Sequence, residues 1–509
     1  MASLDASRIV ILCVVLYGAF LLRWLSKRTR LPPGPFPFPL LGNLPHLPRS
    51  QEWTTYADWG KQYGDVIRVC TLFGRSFYVL NSRKSITDLL DARSHIYSDR
   101  PHLVMANDIM GWGDTVVMSH YGQRFRNYRK ILKNGLGQGA IRTYVPLLED
   151  EAVSYLESLV ETPKSFVQHF RRTSGAIALK IAYGYDITSD GDTLLHITEQ
   201  ALNMFSIAAL PGMWLVDTIP FLKYAPDWLP FAEFKRQGKR TRQLIVDMIA
   251  IPFEGVKRQL KDGTAKPSFT AELLEANRSN KGVNSEDDIK WVATGLYTGQ
   301  ADTTVAAMET FFLAMMLHPD VQVKAQAEVD RVTSRQRLPK LDDRESLPYV
   351  ESVVREVLRW HPVVTMVAHA VTQDDTYRTY HVPKGTTLVA NIWAALHDED
   401  VYSKPEEFRP ERFLPPENAP NPDSFVFGFG RRSCPGILVA HATIFLLVAS
   451  TLAAFTISKE TDAKGAPLEP ELIYCSGVVS RPKAFECKVK PRFTTTEELI
   501  SQAAETRNW

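Results

Sequence analysis

The sequence predicts a mainly α-helical chain with small β-sheets, of the α+β class. Most of the chain up to about residue 360 carries apolar residues at helical spacing. Only Val66 to Cys70 and Phe77 to Leu80, around Phe73-Gly74, read as short strands. Ile289, Val292, Ala293, Leu296, Ala301, Val305, Met308, Phe312 and Met315 predict one continuous helix. It would run for roughly 30 residues, about 45–50 Å, and be buried along most of its length. The 509 residues are 45% hydrophobic and 23% charged, which are globular values, and the net charge of +2 excludes a strongly basic nucleic-acid protein. Five cysteines without a CxxC pair exclude a disulfide scaffold and a zinc ribbon.

Ile9 to Leu22 is an apolar run broken by little but Tyr17 and Gly18, and Lys27, Arg28 and Arg30 follow it. A basic flank after the run, with no small-residue cleavage site, predicts an uncleaved signal anchor over residues 1–26. The same flank puts the rest of the chain on the cytoplasmic side of a membrane. Residues 27–43 form a basic, proline-rich hinge. Its five prolines between Pro32 and Pro39 forbid helix and strand ladders. Phe36 and Phe38 are expected to pack on the body that follows, residues 44–509.

Within the body, Pro211 to Pro230 crowds Met213, Trp214, Leu215, Phe221 and Trp228 between prolines. It reads either as core or as a membrane-dipping lid over a pocket. Gly255 to Asn284 is polar and reads as a surface connection. Ser285 should cap the long helix, with Asp288 at its third position. The residues from about Thr494 are polar and are expected to be loosely ordered.

The chemistry concentrates in Phe427-Gly428-Phe429-Gly430-Arg431-Arg432-Ser433-Cys434-Pro435-Gly436. It sets a cysteine at the entry of an apolar helix, where backbone N–H groups and the helix dipole lower a thiol pKa. A thiolate there suits a soft metal or serves as a nucleophile. Gly430 and Gly436 would let the backbone approach a flat ligand. Arg432 offers a donor fork to a carboxylate, and Phe427 could cover the sulfur. Cys434 by itself reads as an inert core cysteine; the whole string reverses that.

The string matches F-x-x-G-x-R-x-C-x-G at every defined position, and the chain resembles the cytochrome P450 family over nearly its whole length. The resemblance implies the triangular, helix-rich haem domain of that family, as one catalytic domain over 44–509. It implies haem b with Cys434 as the axial ligand of the iron, and Arg432, Phe427 and Gly436 around it. Gly299-Gln300-Ala301-Asp302-Thr303-Thr304 is similar to the family's acid–threonine pattern, so Asp302 and Thr303 are expected to deliver protons. Gln300 departs from the usual glycine. Glu356-x-x-Arg359, with Arg412 from Phe408-Arg409-Pro410-Glu411-Arg412-Phe413, resembles a structural charge triad. Arg129 and His369 match partners of the haem propionates, although Phe125 stands where the family often has Trp.

The same resemblance implies a monooxygenase acting on a lipophilic small molecule such as a terpenoid or polyketide, as in anchored fungal members with roles in secondary metabolism. The expected pocket draws on Met105 to Trp112, Ile207 to Met213, Leu296 to Thr303, Val363 to Val367 and Gly477 to Val479. Ala301, Val364, Met366 and Val478 are its chosen residues. Without a nucleotide-binding glycine fingerprint, electrons should come from a separate NADPH–cytochrome P450 reductase, with cytochrome b5 as an optional second donor. Arg129, Lys130 and Arg431 are the expected docking residues. The location implied is the endoplasmic reticulum membrane, single-pass. Two rivals stay open: a haem-thiolate isomerase or dehydratase needing no O2, and a non-enzymatic membrane haem protein.

Overall fold

Apolar periodicity and capping chemistry set the helices. The computed structural model describes residues 31–187, 191–210, 212–229, 232–279, 284–462 and 464–507. The anchor expected over 1–26, and residues 27–30 of the hinge, lie outside the described residues. The longer helices are α1 Glu52–Tyr63, α2 Gln123–Leu136, α3 Gln138–Glu161, α4 Phe166–Tyr183, α5 Thr193–Ala208, α6 Glu233–Asp262 and α7 Phe269–Arg278. They continue with α8 Glu286–Ala301, α9 Thr303–Leu317, α10 Pro319–Thr333, α11 Pro348–Trp360, α12 Ile437–Ala454 and α13 Thr496–Glu505. Ser285 starts α8 as expected, its Oγ accepting the Asp288 N–H at 2.9 Å.

The strands are β1 Val66–Cys70, β2 Ser76–Leu80, β3 Met366–Ala370, β4 Asp375–Tyr377, β5 Tyr380–Val382, β6 Thr387–Asn391, β7 Phe455–Lys459 and β8 Cys487–Pro491. The largest sheet has the order β1-β2-β6-β3. Strand β2 runs parallel to β6, and the other two pairs are antiparallel. The register sets His369 opposite Leu388, with its side chain buried. The main core lies among α3, α4, α8, α9, α11 and α12. Helix α12 is apolar and long enough to cross a membrane by composition, yet it is largely buried inside this core. It is apolar on all sides because protein surrounds it.

Four expectations are corrected here. The long helix is broken at Asp302 (φ −116°, ψ −30°) into α8 and α9. Thr303 Oγ1 donates to the Gly299 carbonyl at 2.9 Å, and Ser174 Oγ donates to the Gln300 carbonyl at 2.9 Å. Hydroxyls thus take the carbonyls that would have continued the ladder. Residues 255–279 are mostly helical rather than a surface connection, since α6 runs to Asp262 and α7 spans Phe269–Arg278; residues 280–283 of that expected connection lie outside the described residues. Their polar residues coat the outer faces of amphipathic helices, while Phe253, Val256, Phe269 and Leu274 are buried. The C-terminal residues form α13, which packs on α3 and buries Ile500.

The hinge is the fourth correction. Phe36 and Phe38 are largely exposed, although the Phe38 ring lies 5.2 Å from that of His46 on the body. The backbone around them is nonetheless held. Arg68 N–H donates to the Pro33 carbonyl at 2.7 Å, and Asn43 exchanges bonds of 2.7 and 2.8 Å with Cys70. A Cβ on Gly34 would sit 2.1 Å from the Arg68 carbonyl oxygen, so only glycine allows this approach.

A buried charge triad joins α11 to the chain leading toward Cys434. Glu356 accepts from Arg359 Nε and Nη2 at 2.8 and 3.0 Å and from Arg412 Nε at 3.1 Å. It also accepts the Arg409 N–H at 2.8 Å. All three side chains are fully buried. Two cations share one anion, and the spare guanidinium protons go to the carbonyls of Leu396, Ser403, Pro405 and Glu407. Burial holds the Arg412 pKa below its ordinary value, which shows how much this network must offset. Arg412→Ala leaves Glu356 and Arg359 with a broken network and should cost about 3–5 kcal/mol. Urea unfolding of wild type and variant would measure it.

Candidate active site

Cys434 lies three residues before the first residue of its helix, Ile437. Its N–H donates to the Phe427 carbonyl at 2.7 Å, closing the loop at its base. Gly428 and Gly430 turn the loop with φ of +76° and +50°. Gly430 has a different task from the one its sequence suggested. A Cβ there would lie 2.4 Å from the Leu90 carbonyl oxygen, and its N–H bonds Asp91 Oδ1 at 2.6 Å. Gly430 therefore seats the loop on the turn after Leu90. The Phe427 ring lies 4.9 Å from that of His441, and its carbonyl makes the contact with Cys434.

The Cys434 side chain is exposed, yet the protein around it desolvates the thiol and pushes its pKa up. Exposure within so much protein marks the wall of an internal opening. The Gly436 N–H and Arg129 pull the other way, but burial outweighs them. The expected lowering by the helix start is thus corrected for the thiol by itself. A bound metal cation would reverse the balance, because coordination deprotonates a thiol.

Near this loop lies a set of half-buried, desolvated arginines and one buried histidine. Arg432 Nε and Nη2 donate to the carbonyls of Ser98 and Ser119, both at 2.7 Å. Its guanidinium lies 3.8 Å from the centre of the Phe125 ring, so Phe125 supplies a face where an indole would supply a donor. Arg100 donates to the carbonyls of Ala368 and Val117 at 2.5 and 3.0 Å. Arg129 donates to the Ser433 carbonyl at 2.7 Å. His369 Nδ1 donates to the Tyr97 carbonyl at 2.7 Å.

Burial and then the neighbouring Arg100 press Arg432 down to about 9, and burial presses Arg100 down to about 10. Burial, with Arg100 and Arg432 adding to it, holds His369 well below its ordinary value, so it is neutral. Asp99 is the carboxylate that opposes these shifts, and it already accepts the Tyr121 and Arg100 N–H groups at 2.8 Å. Three desolvated guanidiniums with so little counter-charge fit a group carrying two carboxylates. Haem, with two propionates and an iron for the thiol, is such a group. Arg100 was not singled out from sequence, since Ser98-Asp99-Arg100-Pro101 carries no periodic pattern.

The break in α8–α9 supplies a second wall. Gly299 is exposed, with open space where a Cβ would be, and Ala301, Asp302 and Thr303 are half-buried. Their flanks are not: Leu296-Tyr297 and Thr304 to Met316 are buried. Val364, Met366 and Val478 are half-buried apolar residues packed against the same core. The Val478 N–H donates to Ser206 Oγ at 2.9 Å. Other expected wall residues divide: Met105, Met110 and Trp112 are in the core, whereas Ile207 and Met213 are exposed. The Gln300 side-chain nitrogen is buried without a protein partner.

Asp302 does not stand alone. It pairs with Arg481, from the segment between Tyr474 and Pro482, which are bridged to each other. Sequence reasoning missed Arg481, because nothing in Val478-Val479-Ser480-Arg481 marks an ion-pair partner.

A cysteine at an internal opening, a desolvated cation cluster and an interrupted helix with an acid and a threonine are the features of a haem-thiolate protein. The chain belongs to the cytochrome P450 family, whose model matches residues 32–489. It is similar to cytochrome P450 monooxygenase claR of Ampulloclitocybe clavipes, at 43% identity over 96% of this chain and 91% of the relative. It is also similar to cytochrome P450 monooxygenase 208 of Postia placenta, at 42% over 99% and 98%. A third relative, cytochrome P450 monooxygenase ppsD of Aspergillus oryzae, is 39% identical over 98% and 97%. The chain is thus a haem monooxygenase that uses O2 and an electron donor. Arg432→Leu removes two bonds to buried carbonyls and one cation, and should release haem about tenfold faster. Transfer of haem to an apoglobin acceptor would time the loss.

Proposed function

We propose that the chain is a membrane-bound monooxygenase that inserts one oxygen atom into a lipophilic small molecule such as a terpenoid or polyketide. The observation that carries it is the exposed Cys434 in the same opening-lined body as the Asp302–Thr303 break. Haem b would supply the redox chemistry that activates O2, and the Cys434 sulfur would hold its iron. Gly436 donates its N–H to that sulfur, and Arg129 adds positive charge near it. Arg432, Arg100 and Arg129 would hold the propionates by charge and hydrogen bonds. His369, neutral and with its N–H on the Tyr97 carbonyl, would join them only by taking up a second proton as the propionate charge arrives. Phe427 closes the cysteine loop. Asp302 and Thr303 hold and move protons at the break. Ala301, Val364, Met366 and Val478 orient the apolar substrate and exclude water. Glu356, Arg359 and Arg412 keep the loop that precedes the cysteine in place.

Electrons come from a separate NADPH–cytochrome P450 reductase, with cytochrome b5 as an optional donor. Lys130 and Arg431 are exposed and suit docking of an acidic partner. Arg129 does not, because it is half-buried and bonded to Ser433. The protein sits on the endoplasmic reticulum membrane with its catalytic domain in the cytoplasm. Support comes from exposed apolar residues on neighbouring segments. Phe36, Leu40 and Leu41 lie in the hinge, Phe73 follows β1, and Leu215, Phe221 and Trp228 lie in the expected lid. The Phe73 N–H donates to the Leu40 carbonyl at 2.9 Å, and Arg75 reaches the Asp217 carbonyl at 3.3 Å. These bonds bring three greasy segments to one side, where lipid can cover them.

The test has three readings. Reduced, CO-bound protein should show the strongly red-shifted Soret band of a thiolate haem, and Cys434→Ala should abolish it. Co-expression with a fungal reductase should yield products gaining one oxygen by mass spectrometry. Product without NADPH and reductase would instead favour an isomerase or dehydratase. In the full chain, Phe221→Asp with Trp228→Asp should raise KM several-fold for a vesicle-dissolved substrate. Little change is expected in kcat, because the lid carries no reacting group.

A further inference from the structure

Glu309 is a buried acid that the site described above does not use. Its side chain is 5% exposed, and its Oε2 has no protein partner. An isolated carboxylate in such a place is costly, so the neutral acid is favoured there. It lies seven residues after Asp302, two turns or about 10 Å along one helical face. The same cation, Arg481, pairs with Asp302 and also acts on Glu309.

The other groups facing Glu309 are few. Arg171 of α4 lowers its pKa, Asp302 raises it, and Tyr474 lies close enough to feel its charge. Arg171 pairs with Glu199 of α5, both about one-third exposed, which makes a solvent edge. Glu199 also acts on Arg481. The cluster therefore holds three carboxyl groups, two guanidiniums and one phenol, running from solvent to the helix break. Burial dominates, lifting Glu309 to about 7.

We propose that Glu309 stores the proton that Asp302 delivers, and that Arg481 exchanges between these two carboxyl groups as the proton passes. The proposal rests on Asp302 acting in proton delivery. The exchange balances. The Glu309 acid gives its proton through bridging waters to the Asp302 carboxylate. Arg481 leaves the neutral Asp302 and pairs with the new Glu309 carboxylate. The charge of the cluster does not change, so no ion is left unpaired in a desolvated place. Solvent then returns a proton to Glu309 past Arg171 and Glu199. Glu309 is a positioning residue in this scheme, acting through Asp302.

The test compares holoenzymes of wild type, Glu309→Gln and Asp302→Asn, each first confirmed by its reduced CO spectrum. Infrared spectroscopy of wild type should show a neutral-carboxylic-acid carbonyl band that fades as pH rises through about 7. Labelling with [13C]glutamate should shift that band, and Glu309→Gln should remove it. With a competent reductase, Glu309→Gln should lower product formed per NADPH about tenfold. That is less than the roughly 10²–10⁴ of a direct proton donor. Wild-type coupling should fall above pH 7, where Glu309 is ionised, and the variant should be flat across that range. If Asp302→Asn couples as wild type does, Asp302 is no proton donor and the reading of the site fails. If Asp302→Asn fails while Glu309→Gln keeps the wild-type band, pH profile and coupling, the Glu309 proposal alone falls. The labelled band needs no variant: a wild-type band that does not move with [13C]glutamate, or does not titrate, also overturns it.

Discussion

The structure depends on one carboxylate shared by two arginines. Glu356 has no water to solvate it, so Arg359, Arg412 and the Arg409 N–H must do so. The arginines in turn order the carbonyls between Leu396 and Glu407. That segment has little regular secondary structure and would otherwise pay for its conformation with no ladder to stabilise it. A buried ion pair is weak evidence for stability by itself. Here its worth lies in geometry: it gives an irregular segment a fixed path from α11 to the cysteine loop.

The proposed haem site follows a related logic. Its cations are desolvated and press on one another, and Arg432, Arg100 and His369 all show the strain in the direction of their shifts. Carbonyls of Ser98, Val117, Ser119 and Ala368 keep the guanidinium protons satisfied. The charge itself waits for a dianion. The cysteine shows the mirror image, a thiol whose burial disfavours the anion until a cation arrives. Each half of the proposed site disfavours its own charge until the opposite charge arrives, so haem binding would relieve both.

What was legible in the sequence is what short motifs encode. Cys434 with its glycines, Glu356 with Arg359 and Arg412, and the Ser285 cap each depend on neighbours close in sequence or on a fixed spacing. The strands β1 and β2 were legible by their apolar runs. Long-range pairings were not. Arg481 meets Asp302 across 179 positions, and Arg100 meets the Ala368 carbonyl across 268. The break at Asp302 escaped notice because the apolar pattern continues through it, and hydroxyls rather than a proline or glycine cause it. Polar α7 and α13 were read as loop because few of their residues face inward. Phe36 and Phe38 are apolar, which predicts that they are covered, but hydrogen bonds hold the hinge: the Asn43 side chain donates to the Pro35 and Phe36 carbonyls and accepts the Cys70 N–H.

The segment from Tyr474 to Pro482 links two properties that an evolving enzyme would benefit from changing separately. Val478, proposed for the pocket wall, bonds Ser206, and Arg481, three residues on, holds Asp302. The segment is short and bridged at its ends, so a displacement at one position is felt at the other. Substitutions that admit a new substrate at Val478 will therefore combine non-additively with changes around Asp302. Epistasis between substrate choice and oxygen economy is written into the connectivity of this one segment.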